Sequence, residues 1–295
     1  MAPSQGPSVS VVIPVYNDPA GIRDTLSSIL ESTDSDLLAE VLVVDNGSTD
    51  ETADVVREYE ATHEVVTLVV EAEVQGSYAA RNAGIEAATG GVLTFVDADV
   101  TVTADWLRTA LDELDASGSS YVAPDVRLVV PEEPTRAARY NETAGFPNED
   151  FVAHHRYTPT ACLFVRRELI DAVGPFDSRL VSGGDMEFGN RVADAGYDLR
   201  YTPRVVVYHP VRESVGALVR RNVRIGRGHC QLQRYYPDRY GRVGIPPRPS
   251  GITGDQYDGA MNWLTFTALD LTMTLSRAAG YYRECLATVF GRFRR

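Results

Sequence analysis

VLTFVDAD, residues 92–99, is a five-residue run dominated by apolar side chains that breaks abruptly into two aspartates separated by one alanine. A short run of this kind reads as a buried strand, and the break places Asp97 and Asp99 in the turn at its carboxyl end. Carboxylate oxygens so placed suit magnesium or manganese, which keep coordination positions for water and phosphate oxygens. Most such triplets are surface turns. The position directly after a buried strand is what makes this one a candidate.

Working outward, Val9 to Val15 and Glu40 to Val44 are two further apolar strand patterns. The first ends in Pro14-Val15-Tyr16-Asn17-Asp18 and the second is stopped by Asp45-Asn46-Gly47-Ser48. Between them Ile22, Leu26, Ile29 and Leu30 recur at helical spacing. Ala53 to Tyr59 begins another helix, Val65 to Val70 reads as a strand, and a helix through Ala79 to Ala88 ends at Gly90-Gly91. Alternating strand and helix requires a largely parallel sheet covered on both faces, with ligands bound beyond the carboxyl ends of its strands. Asp45 and the Asp97–Asp99 turn therefore converge on one edge. Pro131 to Asp150 reads as a loop rich in proline and charge, and Ala161 to Val165 as a further strand. Leu169 to Phe176, Met186 to Ala195 and Val205 to Tyr208 complete a mixed region, with a boundary near 209–215.

The 295 residues carry 41 acidic side chains against 28 basic ones, and every basic residue is arginine. Without lysine, neither a GxxxxGK[ST] phosphate loop nor a lysine Schiff base is available. Charge is polarised along the chain: residues 1–203 hold 35 acidic and 13 Arg residues, and 204–295 hold 6 and 15. The acidic body repels nucleic acid, so no nucleic-acid partner is expected. An acidic surface with arginine in place of lysine resembles proteins of salt-loving archaea. Cys162, Cys230 and Cys285 form no CxxC and no even framework, which favours a reducing compartment and incidental thiols. The opening MAPSQGPSVSVVIPVYN lacks a positive segment before a long apolar core, so no signal peptide is expected and the cytoplasm is the expected location.

Four segments occur in order: VSVVIPVYND at 9–18, VLVVDNGSTDET at 41–52, GSYAARNAGIEAATGGVLTFVDAD at 76–99 and GPFDSRLVSGGDMEFGNRVADAGY at 174–197. Together they resemble the family 2 glycosyltransferases of GT-A fold over about residues 8–209. The resemblance implies an α/β fold with a mixed, mostly parallel sheet flanked by helices. It assigns residues 1–210 to the catalytic domain and leaves 211–295 as a basic, aromatic-rich helical extension. The implied reaction is inverting transfer of a sugar from a nucleoside-diphosphate donor to a hydroxyl acceptor, dependent on Mn2+ or Mg2+.

On the matching residues, the resemblance places Pro14, Tyr16 and Asn17 in the nucleotide pocket and Asp45 on the base. Arg81 would face the base or the phosphates, its alternative being a surface ion pair. Asn82 and Gly84 share that segment, and Gly84 alternatively serves close helix packing. Asp97 would meet ribose or sugar hydroxyls and Asp99 the divalent ion. For His209, joining the metal and a purely structural hydrogen bond both stay open. Asp185 takes the general-base position, while Gly184 stands where the family usually has glutamate. Its alternative is a helix N-cap, with Glu187 complementing the dipole. Arg191 would pair with Glu187 or lie near the diphosphate. Cys162 reads as a small packing residue.

The acceptor is read from the C-terminal third, where Arg220, Arg221, Arg224 and Arg227 lie among apolar residues and Tyr235 and Tyr236 follow. A lipid-linked or cell-surface glycan at the inner membrane face is the first reading, with peripheral contact by this region; the other reading of these arginines is that they offset the charge of the acidic body across an internal interface. The alternatives are a polyprenyl- or dolichyl-phosphate sugar synthase and a non-catalytic nucleotide-sugar-binding scaffold. Met261 to Leu275 keeps Leu264, Ala268, Leu271 and Leu275 at helical spacing, with Trp263, Phe266 and Met273 on another face. Tight packing and a membrane-interface helix are both compatible with two apolar faces.

Overall fold

The computed structural model describes residues 9–32, 37–247 and 263–292. The first eight residues of the opening segment read for a signal peptide lie outside the described residues, as do Met261, Arg294 and Arg295. The chain alternates β1 (Val9–Val15), α1 (Pro19–Glu31), β2 (Leu38–Asp45), α2 (Thr52–Glu60), β3 (Val66–Val70), α3 (Ser77–Ala87) and β4 (Val92–Val96). There follow β5 (Thr101–Val102), α4 (Trp106–Ser117), β6 (Tyr121–Val129), α5 (Arg136–Ala144), α6 (Asn148–Asp150), a π-helical turn Phe151–His155 and β7 (Cys162–Arg166). The remainder is α7 (Arg167–Val173), α8 (Gly184–Asp194), β8 (Leu199–Pro210), α9 (Val215–Tyr235), α10 (Pro237–Tyr240) and α11 (Trp263–Arg292).

One eight-stranded sheet has the order β3-β2-β1-β4-β7-β6-β8-β5. The β3-β2-β1-β4 half is parallel, whereas β7 runs antiparallel to β4 and β6, and β5 to β8. Val9, Val11, Val12 and Ile13 are fully buried, as continuous apolar strands covered on both faces must be. Register fixes the site. Val15 pairs with Asp45 and Val12 with Phe95, so the turns after β1, β2 and β4 open on one edge.

Helix α3 approaches that sheet closely at Gly84, where any Cβ would collide with Val12 Cγ1 and crowd Val44. The glycine serves close packing, whatever else its segment does.

The chain divides into two compact units. The first comprises the chain up to Arg127 with Phe146–Ser178 and Gly184–His209; the second comprises Leu128–Gly145, Arg179–Gly183 and the chain from Pro210. The Pro131–Asp150 stretch, read as a loop, holds α5 and α6. Thr135 caps α5 by accepting from the Ala138 N–H, and Ala137 and Tyr140 pack with Leu218, Phe266, Leu269 and Met273 in the second unit's core. Its charged residues masked this short buried stripe.

Within the second unit α9 and α11 contact each other at Asn222 and Arg277, Gly226 and Tyr281, and Cys230 and Cys285. The partners ascend together, so the helices run parallel. Gly226 and Gly280 permit this: a Cβ on Gly226 would overlap the Arg277 carbonyl, and one on Gly280 the Val223 carbonyl. The cysteines read as isolated are therefore two-thirds paired in space, because their 55-residue separation matches the helix register. Phe266, Leu269 and Met273 form the packed face of α11, whereas Leu264, Leu271 and Leu275 stay exposed together with Trp263. No helix among the described residues is long and apolar enough to cross a membrane.

Gly84→Val should lower stability by about 1–3 kcal/mol, the usual cost of overpacking. Urea unfolding measures it, and an unchanged midpoint would contradict the close approach of α3.

Candidate active site

The parallel strands end in polar turns that bond to one another. Asn17, with φ of 51°, accepts from the Thr49 N–H at 2.8 Å, and its own N–H donates to Ser48 Oγ at 2.9 Å. Asp45, almost fully buried, accepts the Ser48 N–H on Oδ1 at 3.1 Å. Asn46 then ties the chain after β3 to this edge, donating to the Glu71 and Val74 carbonyls and accepting from Gln75 and the Gly76 N–H. Pro14 lies in β1 opposite Val44, and Tyr16 projects, half exposed, from the turn that follows. Asp18 caps α1 by accepting from the Gly21 N–H.

At the end of β4, Asp97, Asp99 and His209 come together, with one ligand atom from each within 4.8 Å of the others. His209 is buried at the end of β8, its Nε2 3.5 Å from Asp99 Oδ1 and its ring centroid 5.2 Å from that of Phe146. Two carboxylates and an imidazole, two of the three partly exposed, form a donor set that fits a divalent cation with open positions.

Arg81 is 3% exposed, and its Nη2 donates to Asp97 Oδ1 at 2.5 Å and to the Thr160 carbonyl at 3.2 Å. The guanidinium is thus buried and pairs with a partly exposed Asp97, where the sequence suggested a surface pair as the alternative to contact with the donor. The guanidinium also lies 5.8 Å from the centre of the Tyr78 ring. Tyr78 escaped the sequence reading. Its hydroxyl donates to Asp185 Oδ1 at 3.3 Å, so Arg81 and Tyr78 link Asp97 to Asp185.

Gly184 now has a physical reason. A Cβ there would press on the Tyr78 ring at 2.7–2.9 Å, so the side chain usual at this position is excluded by the tyrosine that bonds Asp185. The signal was in the sequence only as a pair, Tyr78 and Gly184, separated by more than a hundred residues. Burial pushes the Asp185 carboxyl above the ordinary carboxylate range. The Met186 N–H at 2.9 Å, the Arg81 charge and the Tyr78 hydroxyl pull it back only in part.

Other matched residues brace the site. Asn82 exchanges hydrogen bonds with the backbone of Phe176 in both directions. Arg191 pairs with Glu187 through Nε at 3.0 Å and Nη2 at 2.9 Å, and donates to the carbonyls of Val173, Gly174 and Pro175. Of its two readings, pairing with Glu187 is the one observed. Cys162 is fully buried, and burial followed by the Asp97 charge raises its thiol, which keeps it protonated.

A parallel half-sheet with acidic turns at its carboxyl edge, joined to an antiparallel half that supplies His209 and flanked by α8 with Asp185, defines a GT-A-type glycosyltransferase. The sequence profile of Glycosyl transferase family 2 matches residues 10–174. The chain is 36% identical over 226 residues to glycosyltransferase AglE of Haloferax volcanii, covering 77% of this chain and 74% of that protein. It is 31% identical over 248 residues to the pre-mycofactocin glycosyltransferase of Mycobacterium tuberculosis, covering 80% of this chain and half of that one. Among solved structures, mannosyltransferase PcManGT from Pyrobaculum calidifontis, in complex with GDP-Man and Mn2+, superposes with a TM-score of 0.60 at 25% identity. That match covers 98% of this chain and 81% of the other. GalNAc-T7 shares the fold at 17% identity, with a TM-score of 0.60 over 82% of this chain and 53% of its own. The chain belongs to glycosyl transferase family 2, and it is a glycosyltransferase.

Proposed function

We propose that this enzyme transfers a sugar, with inversion, from a nucleoside-diphosphate donor to a hydroxyl of a lipid-linked or cell-surface glycan, using Mn2+ or Mg2+. The observation that carries this reading is the Asp97–Asp99–His209 cluster joined through Arg81 and Tyr78 to Asp185. Pro14, Tyr16, Asn17 and Asp45 line the edge where the base and ribose would lie, and Asp97 faces the sugar end. The GDP-Man and Mn2+ complex of PcManGT supports this class of donor and metal. Asp99 and His209, with Asp97, would hold the cation, which when bound offsets the charge developing on the departing diphosphate.

Asp185 takes the proton of the acceptor hydroxyl as that oxygen attacks the anomeric carbon from the face opposite the diphosphate. A single displacement inverts the configuration. The raised carboxyl suits this role, because a base nearer the working pH takes a proton more readily. Tyr78 holds Oδ1, and Arg81 aligns Asp97 beneath the donor.

In this reading residues 1–210 carry the chemistry and 211–295 bring the enzyme to the inner membrane face. The outward stripe of α11, with Leu264, Leu271, Leu275, Tyr282 and Leu286, supports an interfacial placement, as do the exposed Arg220, Arg224 and Arg283 of the same helix pair.

Asp99→Ala should abolish turnover with the fold preserved, and chelation should reduce the native enzyme to background; full activity in EDTA would contradict the metal assignment. Asp185→Asn should lower kcat by about 10²–10⁴-fold, the usual contribution of a positioned base. Near-normal turnover would instead favour a polyprenyl-phosphate acceptor, already an anion. In the native enzyme kcat/KM should fall as pH drops through the raised Asp185 value and be retained above it. Tyr78→Phe removes a hydrogen bond that favours the carboxylate, so the acid limb should move to higher pH. A pH profile identical to that of the native enzyme would remove Tyr78 from this role.

A further inference from the structure

We propose that a cavity of about 480 Å³ in the first unit binds a neutral, hydroxyl-rich ligand and serves as the acceptor subsite. Its walls include Phe146, Asn148, Glu149, Asp150, His154 and Tyr201. The volume lies within the roughly 300–1,000 Å³ of small-ligand sites. Phe146, on one wall, packs at a tilt against the ring of His209, so the cavity lies one side chain from the Asp97–Asp99–His209 cluster. The assignment of the ligand as acceptor rests on the proposed transfer reaction; the chemistry of the cavity does not.

That chemistry selects sugar hydroxyls. Asn148 is 2% exposed and donates from Nδ2 to the Pro124 carbonyl at 2.8 Å, while its Oδ1 has no partner among the described residues. A buried acceptor left unpaired costs free energy that a ligand hydroxyl would recover. Glu149 and Asp150 add carboxylate acceptors, with His154 Nδ1 2.9 Å from Asp150 Oδ1. Phe146 and Tyr201 supply apolar ring surface for the C–H faces of a pyranose. No arginine lines the cavity, so a phosphate would meet two carboxylates and no compensating guanidinium.

Saturation-transfer NMR on the full chain tests this with a panel of neutral methyl glycosides and glucose 6-phosphate as probes. At least one glycoside should show transfer that falls fivefold or more in Glu149→Ala and in Tyr201→Ala, and glucose 6-phosphate should show none. Glu149 is exposed, and a thermal melt checks that each variant is folded. Absence of glycoside binding, a signal unchanged in both variants, or stronger binding of the phosphate would overturn the proposal. Thermal shift with nucleotide sugars and Mn2+ runs beside it: if the donors fail and a glycoside still binds, the transfer reading falls and the site stands.

A separate observation assigns a second site. We infer that Cys230 and Cys285 form a reversible disulfide that clamps α9 to α11. Their sulfurs lie 2.6 Å apart, one turn beyond the Gly226 and Gly280 crossing that sets the helices close and in register. Burial and the facing Cys285 thiol push the Cys230 thiol up to about 12, which Arg234, its Nη2 3.8 Å from Cys230 Sγ, offsets only in part, so the first oxidation falls on Cys285. With peroxide as oxidant, Cys285, the more exposed thiol, is oxidised to the sulfenic acid with release of one water. Cys230 sulfur then attacks that sulfur, forming the S–S bond and expelling a second water. Two thiols and one peroxide give one disulfide and two waters.

After peroxide, intact mass should show loss of two hydrogens, and a non-reduced digest should join the peptides of residues 230 and 285. Cys162 stays a thiol because it is buried. The oxidised chain should melt several degrees higher than the reduced one, an increase absent in Cys230→Ser and in Cys285→Ser, since a cross-link over 55 residues constrains the unfolded chain. Three free thiols after peroxide, or oxygen adducts on Cys285 without cross-linking, would overturn the assignment.

Discussion

The ion pair between the buried Arg81 and the partly exposed Asp97 is the contact on which the site depends. Arg81 comes from α3, Asp97 from the end of β4 and the Thr160 carbonyl from the entry to β7, so one guanidinium joins the parallel half of the sheet to the antiparallel half. Removing one partner of such a pair is costly because it strands the other charge in a poor solvent, whatever the net worth of the intact pair. The same side chain lies against the ring of Tyr78, whose hydroxyl reaches Asp185 on α8. A charge placed for architecture thereby sets the orientation of the two carboxylates to which the chemistry is assigned. Arginine suits the position better than lysine would, since the two arms of its planar fork reach apart, Nη2 to Asp97 and the Thr160 carbonyl and Nη1 to the Ser77 carbonyl.

The two carboxylate regions differ in what their side chains meet. Asp97 and Asp99 are each about one-third exposed and sit in a cluster suited to a cation. Asp185 lies at the start of α8 against the Tyr78 hydroxyl, and burial drives its proton affinity upward. One fold thus offers an acidic pair suited to a cation and, beside it, a carboxylate with raised proton affinity. Separating the two environments is what allows side chains of the same type to serve opposite needs.

Helix pairing in the second unit follows from a different constraint. Gly226 and Gly280 bring α9 and α11 to backbone contact, and everything along the seam is then fixed by register: Asn222 accepts from Arg277, Arg227 and Gln231 meet Glu284, and the two thiols face each other. The packed side of α11 is consequently decided by Phe266, Leu269 and Met273, and its apolar opposite side is left outward.

Much was legible from sequence because buried parallel strands announce themselves locally. The runs at residues 9–15, 40–44 and 92–96, and the polar turns behind them, need only neighbours in the chain to be recognised, and they gathered Asp45, Asp97 and Asp99 on one edge. Helix α5 was missed because its buried stripe is short and its charged residues resemble a loop. Tyr78, the burial of Arg81 and the pairing of Cys230 with Cys285 were also beyond reach. Each is a meeting of residues between 16 and 107 positions apart. Local pattern determines which segments become strands and which turns become acidic. Which side chain fills the space left by Gly184, and which thiol faces which, is decided by packing in three dimensions, where distance along the chain carries no information.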